Sequence, residues 1–224
     1  MKKGFTLAEV IITVGVIGVV AALTIPLLVA NYQKMQTVVR LKKAYSEINQ
    51  AIKLSEVKFD SALGLWDLTS SSTDWLAANT DFLENYLGNS IKFIKTCTPS
   101  RDDCWKMPEK DLTSDKVFAD RYKQRFVSAV TASGYSIYCW VGGSSTDGHT
   151  HIFIDIDGPN KGKQTLGKDI FRVLYSFKTN KFNIGLEDNE TRDILLQKCR
   201  DQDQCLRLIM YDGWKISPDY PHKF

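Results

Sequence analysis

Met1-Lys2-Lys3-Gly4-Phe5-Thr6-Leu7-Ala8-Glu9 opens the chain, and an apolar run follows it to Ala30. No charged side chain occurs from Val10 to Gln33. A membrane-spanning helix needs about 20 mainly apolar residues, and this stretch is long enough. A carboxylate beside such a segment is costly, so Glu9 requires a reason. Lys2 and Lys3 precede the run and leave the N-terminus cytoplasmic by the positive-inside rule, with the rest of the chain outside.

Three readings compete for this segment. The first is a plain single-pass anchor. The second is a secretory signal peptide, which has an apolar core of roughly 7–15 residues and a small-residue cleavage site. The core here is longer, and no such site follows it. The third is a helix made to pack against copies of itself, first in the membrane and then out of it. Glu9 favours the third, because a buried carboxylate persists when it has a partner. The α-amino group of a neighbouring subunit would serve, if the chain were cleaved after Gly4.

Lys3-Gly4-Phe5-Thr6-Leu7-Ala8-Glu9 followed by an apolar helix resembles the class III signal of type IV pilins and type II secretion pseudopilins. The resemblance covers about Gly4 to Tyr32. It implies processing by a prepilin peptidase/methyltransferase, which would cut between Gly4 and Phe5 and methylate the Phe5 amine. It places Glu9 at the fifth mature position, where the family carries its glutamate. Thr6 matches the polar second mature residue, and Pro26 matches the helix proline of many members. It also implies self-assembly with related pilins, through an inner-membrane assembly platform, into an extracytoplasmic filament. Pro26 carries its own physics: a mid-helix proline removes one backbone hydrogen bond and crowds the preceding turn. Gly15 and Gly18 lower helix propensity further.

The helical pattern continues past Asn31. Val38, Leu41, Tyr45, Ile48 and Ile52 recur at helical spacing, with Lys34, Arg40, Lys42, Lys43 and Glu47 on other faces. One helix from near Phe5 to about Ser55 would be roughly 75 Å long at 1.5 Å per residue. The chain therefore divides into a leader (1–4), a transmembrane and assembly helix (5–30), an amphipathic continuation (31–59) and an extracytoplasmic head (60–224). The basic cluster of Arg40, Lys42 and Lys43 reads as a solvated helix face.

The formal charge of the 224-residue chain is +3, and loss of Lys2 and Lys3 with the leader brings it near +1. That balance gives no electrostatic case for nucleic acid. All five cysteines fall in the head, where disulfides persist. Cys97 with Cys104, and Cys199 with Cys205, are close enough to close small loops, which would leave Cys139 unpaired in a strand. Neither pair has the spacing of a zinc site.

Within the head, Ser70-Ser71-Ser72-Thr73 reads as a loop or N-cap. Asp74 to Leu87 reads as a helix burying Trp75, Leu76, Phe82, Leu83 and Tyr86. Cys97 to Pro108 reads as a surface loop. From Phe126 the pattern changes to strands: Tyr135–Val141, His151–Ile156 with its three isoleucines on one face, and a hairpin of Ile170–Phe177 and Phe182–Ile184 around Thr179-Asn180. Helical character returns over Glu190–Cys199 and Gln204–Met210. The expected fold is α+β and pilin-like, with a long N-terminal helix packed on a small antiparallel sheet of three or four strands.

Asp155, Asp157, Asn160 and Asp169 would offer oxygens to calcium if their loop folds back, although EF-hand spacing is missing. The alternative is a strand ending in an Asp-Gly turn. His149 and His151 alternate on one strand and read as exposed edge residues. No nucleophile elbow, Walker, zincin or Rossmann pattern is present, and no enzyme is expected. The expected function is a filament-subunit precursor for secretion, adhesion, motility or DNA uptake. The alternative is a membrane-anchored extracytoplasmic binding module that does not polymerise.

Overall fold

The computed structural model describes residues 4, 6–61, 74–106, 126–142, 149–159, 161, 164–176, 181–182, 190–202 and 204–224. Ser70 to Thr73, Thr179, Asn180, Phe5 and Asn160 lie outside these residues.

Helix α1 runs from Leu7 to Lys58, 52 residues without a break, and passes through Pro26. That is roughly 78 Å at the α-helical rise. Thr6 caps its start: Glu9 N donates to Thr6 Oγ1 at 3.3 Å, and Thr6 N donates to Glu9 Oε2 at 2.8 Å. Along the first half no residue is buried, while the second half buries Thr37, Leu41, Ala44, Ile48, Ala51, Ile52 and Ser55. This stripe is turned slightly from the one the large apolar residues predict. Val38 and Tyr45 pack only partly against the core. Ala44, Ala51 and Ser55 are as fully buried as Leu41 and Ile48, and their small side chains let the helix approach the sheet closely. Ser55 Oγ donates to Tyr86 O at 2.6 Å.

Helix α2 (Trp75–Asp81) starts at Asp74, whose side chain accepts from Ala77 N at 3.1 Å. It continues as a π-helical segment over Phe82–Leu87. Phe82, Leu83 and Leu87 are buried, whereas Leu76 and Tyr86 are partly buried. Asn79, fully buried, accepts from Val141 N at 2.7 Å and thereby satisfies a backbone donor of the sheet.

The sheet has six strands rather than three or four: β1 (Phe93–Cys97), β2 (Val127–Thr131), β3 (Ser136–Gly142), β4 (His149–Asp155), β5 (Ile170–Ser176) and β6 (Lys181–Phe182). They pair antiparallel in chain order, so the sheet is an unbroken meander. Alternation sends Val127, Ala129, Ile137, Cys139, Ile152, Ile154, Phe171 and Val173 into the core shared with α1. The opposite face carries a second cluster of Trp105, Phe126, Tyr138, Phe153 and Ile170. Trp105 reaches it directly after the Cys97–Cys104 disulfide and stacks on Tyr138 with centroids 5.2 Å apart.

Helices α3 (Arg192–Gln202) and α4 (Cys205–Tyr211) are joined by the Cys199–Cys205 disulfide. Both contribute to the main core through Leu195, Leu206, Leu208 and Ile209. The tail then turns back at Gly213 (φ 71°) and Trp214 (φ 60°) and sets the Trp214 ring 5.6 Å from that of Tyr45 on α1. Arg192 holds this tail: it bonds Asp212 at 2.7 and 2.9 Å and Asp219 at 2.7 and 2.8 Å. Those bonds keep both carboxyls below the usual carboxylate range.

Candidate functional site

The first half of α1 presents apolar side chains on every side. Leu7 is 78% exposed, Leu23 76% and Leu28 69%. This is the one described helix long and apolar enough to cross a membrane, and by those properties it fits an anchor or a signal sequence. Exposed apolar surface of this extent marks a membrane or protein contact.

At its start, Gly4 and Thr6 are described, and the proposed processing and methylation residue Phe5 is not. Glu9 has a local partner that sequence reasoning missed. Thr6 and Glu9 form a reciprocal capping box, with Thr6 Oγ1 also donating to Glu9 Oε2 at 2.8 Å. The signal was legible, since Thr-x-x-Glu before an apolar run is the capping-box pattern. Among the described residues Oε1 of Glu9 accepts no hydrogen bond, so one carboxylate oxygen is left for another group. Pro26 leaves the helix ladder one donor short. Nearby, Thr24 Oγ1 donates to Val20 O at 2.9 Å.

The helix is fixed to the head by more than its apolar stripe. Arg40 forms an ion pair with Asp157 of the β4–β5 connection, and Lys42 lies 5.7 Å from the Trp214 ring centroid. The basic cluster is thus partly engaged by the head. Neither contact is visible in local sequence, since the partners come from distant segments.

Asp155, Asp157 and Asp169 do share one loop, but their carboxylates already serve turn and ion-pair roles. Asp155 Oδ1 accepts from Asp157 N at 3.1 Å and Gly158 N at 3.0 Å. Asp157 takes Arg40, and Asp169 Oδ2 accepts from Thr165 N at 3.3 Å. Among the described residues these three do not form a group whose oxygens all converge at metal-binding distances. These bonds are those of the Asp-Gly turn; the fourth candidate ligand, Asn160, lies outside the described residues. The two groups that do converge, Cys199–Cys205 with His222 and Cys97–Cys104 with Asp103, hold their sulfurs in disulfides and offer no thiolate. Gly167 (φ 75°) lies so close to the first group that a Cβ there would sit 2.5 Å from His222 Nε2 and 2.7 Å from Cys205 Sγ.

Burial, helped by the neighbouring charge of Asp157, pushes the Asp155 carboxyl up to about 7 from 3.8. The folded state therefore holds this proton more tightly than the unfolded chain does. Ionisation costs nothing below about pH 4, destabilises increasingly as pH rises from about 4 to 7, and acts fully above that. Asp155→Asn keeps the turn acceptor and removes the charge. It is expected to raise the melting temperature at about pH 8 and to lose that advantage near pH 4. Thermal melts of the full chain in micelles read both. Calcium that stabilised the wild type but not this variant would support the cation reading.

Two further sequence expectations are corrected or placed. Strand β4 is interior, paired with β3 and β5 along its length, so His149 and His151 are not edge residues. His151 is half-buried and stacks on Trp140 with centroids 4.5 Å apart. Cys139 is unpaired and buried in β3, where burial pushes its thiol up and keeps it protonated.

A family model described as a family of unknown function (DUF6613) matches residues 27–125. The match takes in 99 of the 224 residues and begins beyond Gly4 and Glu9. No curated protein and no solved structure matches the chain.

Proposed function

We propose that this chain is the precursor of a filament subunit of the type IV pilin or pseudopilin kind. It is cleaved between Gly4 and Phe5, N-methylated at Phe5, and assembled through the first half of α1. The observation that carries the reading is the division of α1: its second half is built into the head, and among the described residues none covers its first half. Lipid covers that half before assembly, and the same half of other subunits covers it afterwards. The resemblance of Lys3-Gly4-Phe5-Thr6-Leu7-Ala8-Glu9 to the prepilin signal supports this over a plain anchor, which needs neither Gly4 nor Glu9. Lys2 and Lys3 keep the leader cytoplasmic, and the disulfide-bearing head faces an oxidising compartment.

Gly4→Val tests processing. A peptidase that must fit the backbone at the scissile bond accepts glycine, where no Cβ intrudes, and rejects a β-branched residue. Intact-mass measurement of membrane-extracted protein is expected to show the mature form for the wild type and the uncut precursor for the variant. A wild-type mass that retains Met1–Gly4 removes the processing step from the proposal.

A further inference from the structure

The exit of α1 from its apolar run is the most informative surface the filament reading leaves unused. A groove of about 490 Å³ lies between α1 and the tail, lined by Lys34, Met35, Val38 and Val39 on one side and Trp214, Lys215 and Ile216 on the other, with Asn31 at its foot. Met35 and Val39 are 67% and 62% exposed, so apolar surface is open here beside two lysines. Among the described residues no carboxylate lines the groove. The nearest acidic groups of the tail, Asp212 and Asp219, are both taken by Arg192. Lys34 and Lys215 form no ion pair among the described residues, whereas Arg40 and Lys43 pair with Asp157 and Glu47.

Height along the helix selects the occupant. If the uncharged run from Val10 fills a hydrocarbon core of about 30 Å, the core ends near Ala30. Lys34 then stands roughly 6 Å above it, at the level of the phosphates. Trp214 joins the level at which aromatic side chains anchor membrane proteins. We propose that the groove seats an anionic phospholipid of the outer leaflet, with its phosphate between Lys34 and Lys215. Its glycerol and upper methylenes lie against Met35, Val38, Trp214 and Ile216. The lipid would fix the head's orientation on the membrane before assembly. This inference rests on the membrane-spanning part of the proposed function.

Native mass spectrometry of the full chain, released from nanodiscs of equal phosphatidylglycerol and phosphatidylcholine with matched acyl chains, tests it. The wild type is expected to retain phosphatidylglycerol over phosphatidylcholine by roughly thirtyfold, the scale that two lysines supply at an anionic surface. Lys34→Gln with Lys215→Gln is expected to bring the ratio near one. The charge-matched control Lys53→Gln with Lys92→Gln is expected to keep it. Equal retention of both lipids by the wild type overturns the proposal, as does an equal fall in the control. So does a second copy of the chain occupying the groove, seen as a dimer lost in the Lys34/Lys215 variant. Carbonate extraction separates the two levels of failure. A chain released from membranes by carbonate overturns the spanning reading and this inference together, while an embedded chain without lipid preference overturns only the inference.

Discussion

Glu9→Ala is expected to reach the membrane and lose its leader normally, yet to be absent from filaments. In the isolated chain Glu9 serves the helix cap through Oε2 and is exposed. In a filament core it would be surrounded by the apolar halves of neighbouring helices. A carboxylate there survives only with a partner, and the proposed cleavage would supply one as the Phe5 amine of a neighbouring subunit. Removing one member of a buried pair typically costs about 3–5 kcal/mol, because the other charge is left unpaired. The cap alone is worth less, about 0.5–2 kcal/mol. Glu9→Gln separates the two roles, since glutamine also completes a capping box but carries no charge. Both variants are expected to fail in assembly, as read by the amount of chain in sheared filaments. If Glu9→Gln assembles normally and Glu9→Ala does not, Glu9 acts as a cap and the pairing mechanism is wrong.

The largest stability effect is expected in the head, at Glu190. Its side chain is 8% exposed and pairs with Arg207, which is 3% exposed, and with Lys198. The two cations come from α4 and α3, so Glu190 ties both helices to the segment before them. Glu190→Ala removes the carboxylate that pairs with Arg207, which keeps its bond to Gln204, and is expected to cost about 3 kcal/mol, the low end for breaking a buried pair. Arg207→Ala is expected to cost less, since Lys198 can still neutralise Glu190. Replacing Glu190 and Arg207 together by leucine and methionine should recover much of the loss, because a buried pair is often no better than apolar packing. Urea melts of the full chain in micelles give the order. Equal stability of Glu190→Ala and wild type would show that the pair is solvated in solution.

What the sequence made legible follows the range of each interaction. Helix α1 was readable because its pattern is local: an uncharged run and then a helical stripe. Strands β3, β4 and β5 were readable because apolar and polar residues alternate. The two short-range cysteine pairs were suggested by their spacing, and the structure joins the same residues. Strand β1 was missed because Phe93-Ile94-Lys95-Thr96-Cys97 lies at the sheet edge with three exposed residues and a bulge, so no alternation marks it. The rotation of the buried stripe toward Ala44 and Ala51 was hidden because alanine carries little apolar signal. The Arg40–Asp157 pair joins residues 117 positions apart, and the Arg192 clamp on the tail spans 20 and 27 positions. No local pattern records such pairings. At the candidate site the one avoidable miss was the Thr6–Glu9 capping box.

The composition of sheared extracellular filaments tests the filament proposal most directly. Intact-mass analysis of that fraction is predicted to find this chain beginning at Phe5 and carrying one added methyl group. A chain found only in the membrane fraction, beginning at Met1 and absent from every sheared filament, would contradict it.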